Sequence, residues 1–415
     1  MFEWSDTDRM MRTAVREFLD KEVRPHIDEL EHGDLPPYAL LRKLFASFGI
    51  DALARDSVTK LLEREKAAAA TTEDRAKTSS PGPLSVRGQE SLGMILCSEI
   101  CGVSMGMFAA MGVSLGLGAA TIQAHGTLAQ KERWLPQLVT MEKVAAWALT
   151  EPDSGSDAFG GMKTNVRRDG DAYILNGQKT FITNGPYADV LVVYAKLDEQ
   201  DGTPVRDRKV LTFVLEKGMP GLTQSPPMRK MGLHSSPTGE LFFDDIRLTT
   251  AHLLGETETH AASDGRMSAK QGFVTERIGV AAMALGVINE CRRLCVEYAK
   301  VRKLWGTPIA DFQLIQLKLA KMEVARVNVQ NMVFQAIEMA RNGKQPTLAE
   351  ASAMKWYASE TATDVAMDAV QLFGGNGYMA EYRVEQLARD AKSLMIYAGS
   401  NEVQITHVAK GLLER

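Results

Sequence analysis

The chain has 415 residues, 45% hydrophobic and 24% charged, with a formal net charge of −4 and a pI of about 6.1. That length allows two or three domains with sizeable cores, and no large positive field exists to hold a nucleic acid. The opening MFEWSDTDRM carries acids and neither an apolar leader nor an Arg/Ser-rich transit pattern, so a cytoplasmic protein is expected.

Residues 1–143 read as helical. Ser5 is placed to cap SDTDRMMRTAVREFLDKEV, and Pro36-Pro37 puts a proline at the first position of another helix. LAQKERWLPQLVT at 128–140 is an amphipathic helix by its spacing. The segment 51–90 is atypical: LLEREKAAAA is a strong helix former, and TTEDRAKTSSPGPLSVRG reads as a polar, flexible surface loop. From Ile100 to Ala124 no side chain is charged, a span long enough for a membrane. Five glycines and the lack of a flanking Lys/Arg cluster favour a buried helix pair instead, with no membrane contact. The cysteines fall in pairs one helical turn apart, Cys97/Cys101 and Cys291/Cys295, with no His in ligand spacing. Packing thiols are expected, and neither a metal site nor a disulfide.

Residues 144–255 change to strand patterning. Asp169-Gly170, Asn176-Gly177 and Asn184-Gly185 lie between β-rich runs, as tight hairpin turns require. ADVLVVYAKL, KVLTFVLEKG and GELFFDDIRL continue as strands, giving a small antiparallel β domain. From 256 to 415 the chain reads as helices near 267–302, 308–341, 347–372 and 400–413, a four-helix bundle. The fold class expected is α+β: an N-terminal helical domain, the middle β domain and the C-terminal bundle.

Phosphate-loop, nucleophile-elbow and zinc-protease signatures are absent, and Gly116-Leu117-Gly118 lacks both a third glycine and a preceding strand. Three stretches stand out. ALTEPDSGSD at 148–157 offers hydroxyls and loop amides that suit the carbonyls of a polar heterocycle, or is simply a turn. VRKLWGTPIADFQLIQ at 301–316 holds Arg302 and Trp305, or is a helix end followed by a helix start. QLFGGNGY at 371–378 lets backbone approach a ligand closely, or is a helix C-cap.

Together with GQKTFITNG, GMPGL, DAVQLFGGNGY, RDAK and IYAGSNE, these segments make the chain resemble the acyl-CoA dehydrogenase family of flavoproteins, over about 93–415 and more loosely over 1–50. The resemblance implies FAD held between the β domain and the bundle. It matches Trp147, Leu149, Thr150, Ser156, Phe181, Ile182 and Thr183 to the flavin ring, and Arg302, Trp305 and Gln313 to the pyrophosphate and adenosine. Gln371, Gly374 and Gly375 match contacts from a neighbouring subunit, and Ser400 and Glu402 match the final pair. Phe108 and Gly112 match the acyl tunnel, and Ser156 and Tyr397 match the substrate side. It also implies an acyl-CoA substrate, electron-transfer flavoprotein as electron acceptor, and a homotetramer built as a dimer of dimers.

The implied reaction is α,β-dehydrogenation: a carboxylate takes the Cα proton while hydride leaves Cβ for flavin N5. In the short- and medium-chain branches the base stands where this chain has Ala398, whose backbone N–H still serves as a carbonyl donor. Glu276-Arg277 in GFVTERIGV matches the isovaleryl-CoA and long-chain branches, whose base lies on a bundle helix before an Arg. Glu276 is therefore the expected catalytic base and Arg277 a CoA contact or structural partner. Apolar Phe273, Ile278 and Val280 nearby raise the carboxylate's proton affinity. Val274 replaces the family's usual CoA-contacting Asp, and the family's Gly-Gly loop gives way to the 51–90 segment, so the acyl group and carrier are the least determined features. A medium-chain, long-chain or branched saturated acyl group is expected. The alternatives are an oxygen-using flavin oxidase or monooxygenase on the same fold, and a flavin-bearing nucleic-acid-associated homologue, which predicts a basic C-terminal extension.

Overall fold

The computed structural model describes residues 3–32, 35–70, 90–258 and 265–413. The first zone comprises α1 (Asp6–Glu22), α2 (Ile27–Glu31), α3 (Tyr38–Ser47), α4 (Ile50–Ala70), α5 (Glu90–Val103), α6 (Met105–Gly112), α7 (Ala120–His125) and α8 (Leu128–Leu138). Capping boxes start two of them, Ser5 with Asp8 at α1 and Thr127 with Gln130 at α8. Pro37 is the N-cap of α3, one position earlier than the first helical residue expected. The first half of the atypical segment is the regular helix α4, whose Ala54 and Val58 pack in one cluster with Trp134 and Leu135 of α8. The loop expected next, at 71–89, lies outside the described residues.

The uncharged stretch forms a broken helix pair, as its glycines suggested. Ser104 ends α5 and caps α6, and a π-helical segment, Val113–Ala119, joins α6 to α7. Among the described residues two spans, Met105–His125 and Gly272–Val301, are apolar and long enough to cross a membrane, and 56% of each span's most apolar window is buried inside the molecule.

The middle domain holds β1 (Ala145–Ala148), β2 (Asn165–Asp169), β3 (Ala172–Thr183), β4 (Val190–Asp198), β5 (Val210–Glu216), β6 (Leu222–Gln224) and β7 (Thr238–Thr249). Most pairings are antiparallel, but β1 and β2 both run parallel to β4, so the sheet is mixed rather than purely antiparallel. A two-residue turn joins β2 and β3 as expected, but at Gly170-Asp171, one residue later than the Asp169-Gly170 dipeptide, since Asp169 pairs with Ala172. Asn176-Gly177 does not turn the chain. It lies inside β3 at a register shift, where Gly177 has φ 143° and an added Cβ would sit 2.6 Å from Thr164 Oγ1. Asn184 ends β3 in a left-handed conformation, φ 65°, and its amide ties α6 to β1 by donating to Ala110 O and Ala145 O.

The last zone contains α9 (Gly265–Val301), a hairpin of β8 (Lys303–Leu304) and β9 (Thr307–Pro308), α10 (Gln313–Arg341), α11 (Leu348–Phe373), α12 (Val384–Ser393) and α13 (Asn401–Leu413). α12 was not anticipated as a separate helix. The break before α10 is the hairpin, not a simple helix end and helix start. Trp305 (φ 50°) and Gly306 (φ 84°) give it the two left-handed residues of a type I′ turn. The four cysteines are free and buried in the largest cluster, which α5 shares with the bundle helices.

α9 sets the position of everything that follows. It crosses α5 so closely that a Cβ on Gly286 would lie 2.3 Å from Ser98 O and 2.9 Å from Gly102 N. Gly286→Ala must push the helices apart and should cost about 1–3 kcal/mol, the usual penalty for overpacking. Thermal unfolding of this variant against wild type measures it.

Candidate active site

Glu276 lies near the start of α9 and is half-buried. Helical spacing puts Glu276, Val280 and Met283 on one face, and the Tyr397 hydroxyl contacts Met283 Sδ at 3.6 Å. The 397–399 segment therefore runs along the face that bears Glu276. On a neighbouring side Phe273 meets Trp147 of β1 edge-on, ring centroids 6.5 Å apart. Burial pushes the Glu276 carboxyl up to about 7, against the opposing pull of Arg277 and Lys355. Arg277 points elsewhere: it is 3% exposed and donates from Nη1 to Ser352 Oγ of α11 at 3.0 Å. That is the geometry of the structural partner, not of a group held out to a ligand.

The turn after Tyr397 is left-handed at both Ala398 (φ 57°) and Gly399 (φ 81°), a conformation that strains alanine. Three bonds from below hold it. Gln404 Nε2 donates to Ala398 O at 3.1 Å and to Gly399 O at 2.7 Å, and Lys355 Nζ donates to Gly399 O at 2.9 Å. The Ala398 N–H donates to no acceptor among the described residues. Ser400 is half-buried and Glu402 exposed at the start of α13.

On the β domain, Thr150 O accepts from Thr180 N at 2.9 Å, so the loop after β1 lies against the FIT segment of β3. Phe181 is 64% exposed with φ 55°. Trp147, Thr150 and Thr183 are half-buried and Ser156 is exposed. Leu149 (4% exposed) and Ile182 (2%) turn their side chains into the core and offer a ligand only backbone. Phe108 and Gly112 are stacked on α6, a Cβ on Gly112 meeting only the Phe108 ring at 3.7 Å.

A second cluster sits at the far end of α9. Tyr298 stacks on Phe373 at 4.0 Å and accepts from Asn376 Nδ2 at 3.0 Å. This joins the Arg302/Trp305/Gln313 group to Gln371, Gly374 and Gly375. All six are exposed, Trp305 to 89%, and a Cβ on either glycine would meet nothing within 4 Å. At roughly 1.5 Å per residue, Glu276 and Arg302 are about 39 Å apart along α9. The two clusters of one chain cannot face the same small molecule.

Sequence reasoning missed two polar features. Beneath the 149–151 loop, Lys179 (0% exposed) pairs with Glu151 (4%) at 2.8 Å and also donates to Leu149 O at 3.0 Å. Burial lowers the Lys179 amine to about 8 against the pull of Glu151. Burial alone would raise Glu151, but Lys179, Thr164 and the Lys163 N–H hold its carboxyl below the usual range. Under the 398–400 turn lie Lys355, Asn401 and Gln404, all buried. The signal for Lys355 was available: Ala351, Lys355, Ala358 and Ala362 keep core spacing on α11, and a cation in an apolar stripe marks a special position.

A carboxyl group of raised proton affinity and an amide donor without an acceptor among the described residues are the kind of equipment needed to take a proton from carbon next to a carbonyl. Comparison with known proteins agrees. Models of the N-terminal, middle and C-terminal domains of acyl-CoA dehydrogenases match residues 86–142, 146–246 and 263–413. An acyl-CoA dehydrogenase of Bacillus subtilis (strain 168) is 35% identical over 97% of both chains. The structure of butyryl-CoA dehydrogenase from Megasphaera elsdenii covers 100% of both chains at 32% identity and a TM-score of 0.80. That of a glutaryl-CoA dehydrogenase from Mycobacterium smegmatis, in complex with FADH2, covers 99% of this chain and 96% of its own at 25% identity and a TM-score of 0.81. The chain belongs to the acyl-CoA dehydrogenase family.

Lys179→Met leaves Glu151 buried without its cation and should cost about 3–5 kcal/mol. Denaturant unfolding at neutral pH measures the loss.

Proposed function

We propose that the protein is an FAD-dependent acyl-CoA dehydrogenase in which Glu276 removes the α-proton of a saturated acyl thioester. The observation that carries this reading is a half-buried carboxylate, its proton affinity raised to about 7, on the helix face that the 397–399 segment meets through Tyr397 and Met283, where the Ala398 N–H has no acceptor among the described residues. The FADH2 complex of the Mycobacterium smegmatis relative supports the cofactor. The exposed Phe181, the half-buried Trp147 and the open space over Gly374 and Gly375 fit such a group. When bound, FAD supplies the acceptor for the hydride that leaves Cβ.

The chain's own residues do the rest. Ala398 N–H draws charge from the thioester carbonyl, which makes the α-hydrogen acidic enough to leave. Glu276 takes that proton, and Phe273, Trp147 and Tyr397 keep water from levelling its basicity. Phe108 and Gly112 line the acyl path, Ser156 contacts the substrate side, and Arg277 holds α9 to α11. The absence of a cation at 108 and 112 favours an uncharged acyl group. A medium-chain, long-chain or branched group is proposed, although the Megasphaera elsdenii relative is named for the short butyryl group.

Electron-transfer flavoprotein is the proposed acceptor of the two electrons. The proposed assembly is a homotetramer in which the Trp305 cluster of one copy completes the site of another, since about 39 Å of helix separates it from Glu276 in its own chain. An exposed row on α10, with Leu314 78%, Leu317 52% and Val324 60% exposed, supports coverage by a second copy.

Anaerobic titration with acyl-CoAs of graded length and branching, following flavin bleaching, tests the reading. Glu276→Gln should keep its flavin and bleach slower by about 10² or more. Because the base works only when ionised, the wild-type rate should rise with pH through about 7 and fall below it. A Glu276→Gln variant that bleaches at the wild-type rate removes Glu276 from the mechanism. Leu314→Glu should split the oligomer in sedimentation velocity and lower flavin retention. An intact tetramer with full flavin content counts against the shared site.

A further inference from the structure

Beneath the turn that carries Ala398 lies a buried cation that, among the described residues, is bonded only to neutral groups. Lys355 is 0% exposed, and its ammonium donates to Gly399 O at 2.9 Å and to Asn401 Oδ1 at 2.8 Å. Ser359 Oγ donates to the same Asn401 oxygen at 3.1 Å. A buried ammonium is costly unless a counter-charge offsets its lost hydration. Lys179, equally buried, has Glu151 against it at 2.8 Å. Among the described residues Lys355 has no carboxylate in bonding contact. The acids that act on it through space are Glu276, Glu402 and Glu360. Glu402 and Glu360 are exposed, so water and salt screen them, which leaves Glu276 as the effective counter-charge.

We propose that Lys355 is a positioning residue for the reaction: its ammonium locks the Ala398–Asn401 turn in the shape that presents the amide donor, and favours the ionised form of Glu276 from across the α9–α11 interface. The proposal rests on Glu276 being the base. The charged and titratable groups facing Glu276 are Arg277 on α9, Lys355 on α11 and Tyr397 on the turn. Those facing Lys355 are Arg277, Glu276, Glu402 on α13 and Glu360 on its own helix, and His407 of α13 faces Arg277. Burial, helped by Arg277, lowers the Lys355 amine to about 8, so it is mostly protonated at pH 7, where Glu276 is about half ionised. Arg277 adds positive charge on the same side and its Nη2 lies close to Gly399, but its hydrogen bond goes to Ser352 and not to the turn.

The test compares the pH dependence of acyl-CoA-driven flavin bleaching in the FAD-loaded, full-length protein. Lys355→Met should raise the apparent pKa by about one unit, lowering the ionised fraction about fivefold at pH 7 and restoring it near pH 9, with a pH-independent loss of rate reporting the loosened turn. Lys355→Arg should stay near the wild-type profile. Asn401→Asp, almost isosteric, sets a carboxylate on the ammonium and should move the profile the same way without opening a void. If Lys355→Met does not fold, Asn401→Asp decides the matter alone. Unchanged profiles in the flavin-loaded variants overturn the proposal. Glu276→Gln is run alongside. If it bleaches at the wild-type rate, the base assignment has failed; if it is inactive while the other profiles stay put, only the role of Lys355 has failed.

Discussion

The crossing of α5 and α9 is the constraint on which the rest of the molecule depends. Gly102 and Gly286 bring the two backbones into near contact, and the resulting interface buries much of the largest hydrophobic cluster. α9 continues from this anchor toward its N-terminus and carries Glu276 to the place where Trp147 and the 397–399 segment converge. A carboxylate on a loop would wander. On a helix braced by close packing it is held in one place, and placement is what proton transfer from carbon demands.

The site then balances two opposing influences on that carboxylate. Apolar neighbours favour its protonated form, and Arg277 and Lys355 favour the ionised one. Neither cation bonds to Glu276 directly; each is occupied by neutral partners on α11 or the turn. A direct salt bridge would make the group a weak base, and burial with no cation nearby would leave it protonated near neutral pH. Holding the charges at one remove keeps the proton affinity in a range where the group both accepts and releases a proton.

Much of this was legible in the chain. The change from helical to strand periodicity near 144 and back near 256 marked the three zones, and the ordered motifs marked the family. Glu276 was picked out as the candidate base because Ala398 left that position without a carboxylate, and the structure adds its raised proton affinity. What was not legible was tertiary. Asn176-Gly177 has the letters of a turn but serves a bulge, because the approach of Thr164 requires a residue without a side chain there. The parallel pairing of β1 and β2 with β4 depends on partners far apart in sequence. The stretch around Trp305 read either as a ligand contact or as a helix end followed by a helix start, and its left-handed φ belongs to a hairpin turn that the Leu-Trp-Gly-Thr letters do not announce. Glu151 with Lys179, and Lys355 with Asn401, are pairings across elements that no local spacing encodes.

The length of α9 has a genetic consequence. Its two ends belong to different sites if each flavin is shared between copies, so lesions at opposite ends damage different halves of the assembly. A chain disabled at Glu276 and a chain disabled at Trp305, each inert by itself, would regain function when co-expressed, because some mixed pairings unite an intact base with an intact aromatic clamp. Two lesions at the same end have no such remedy.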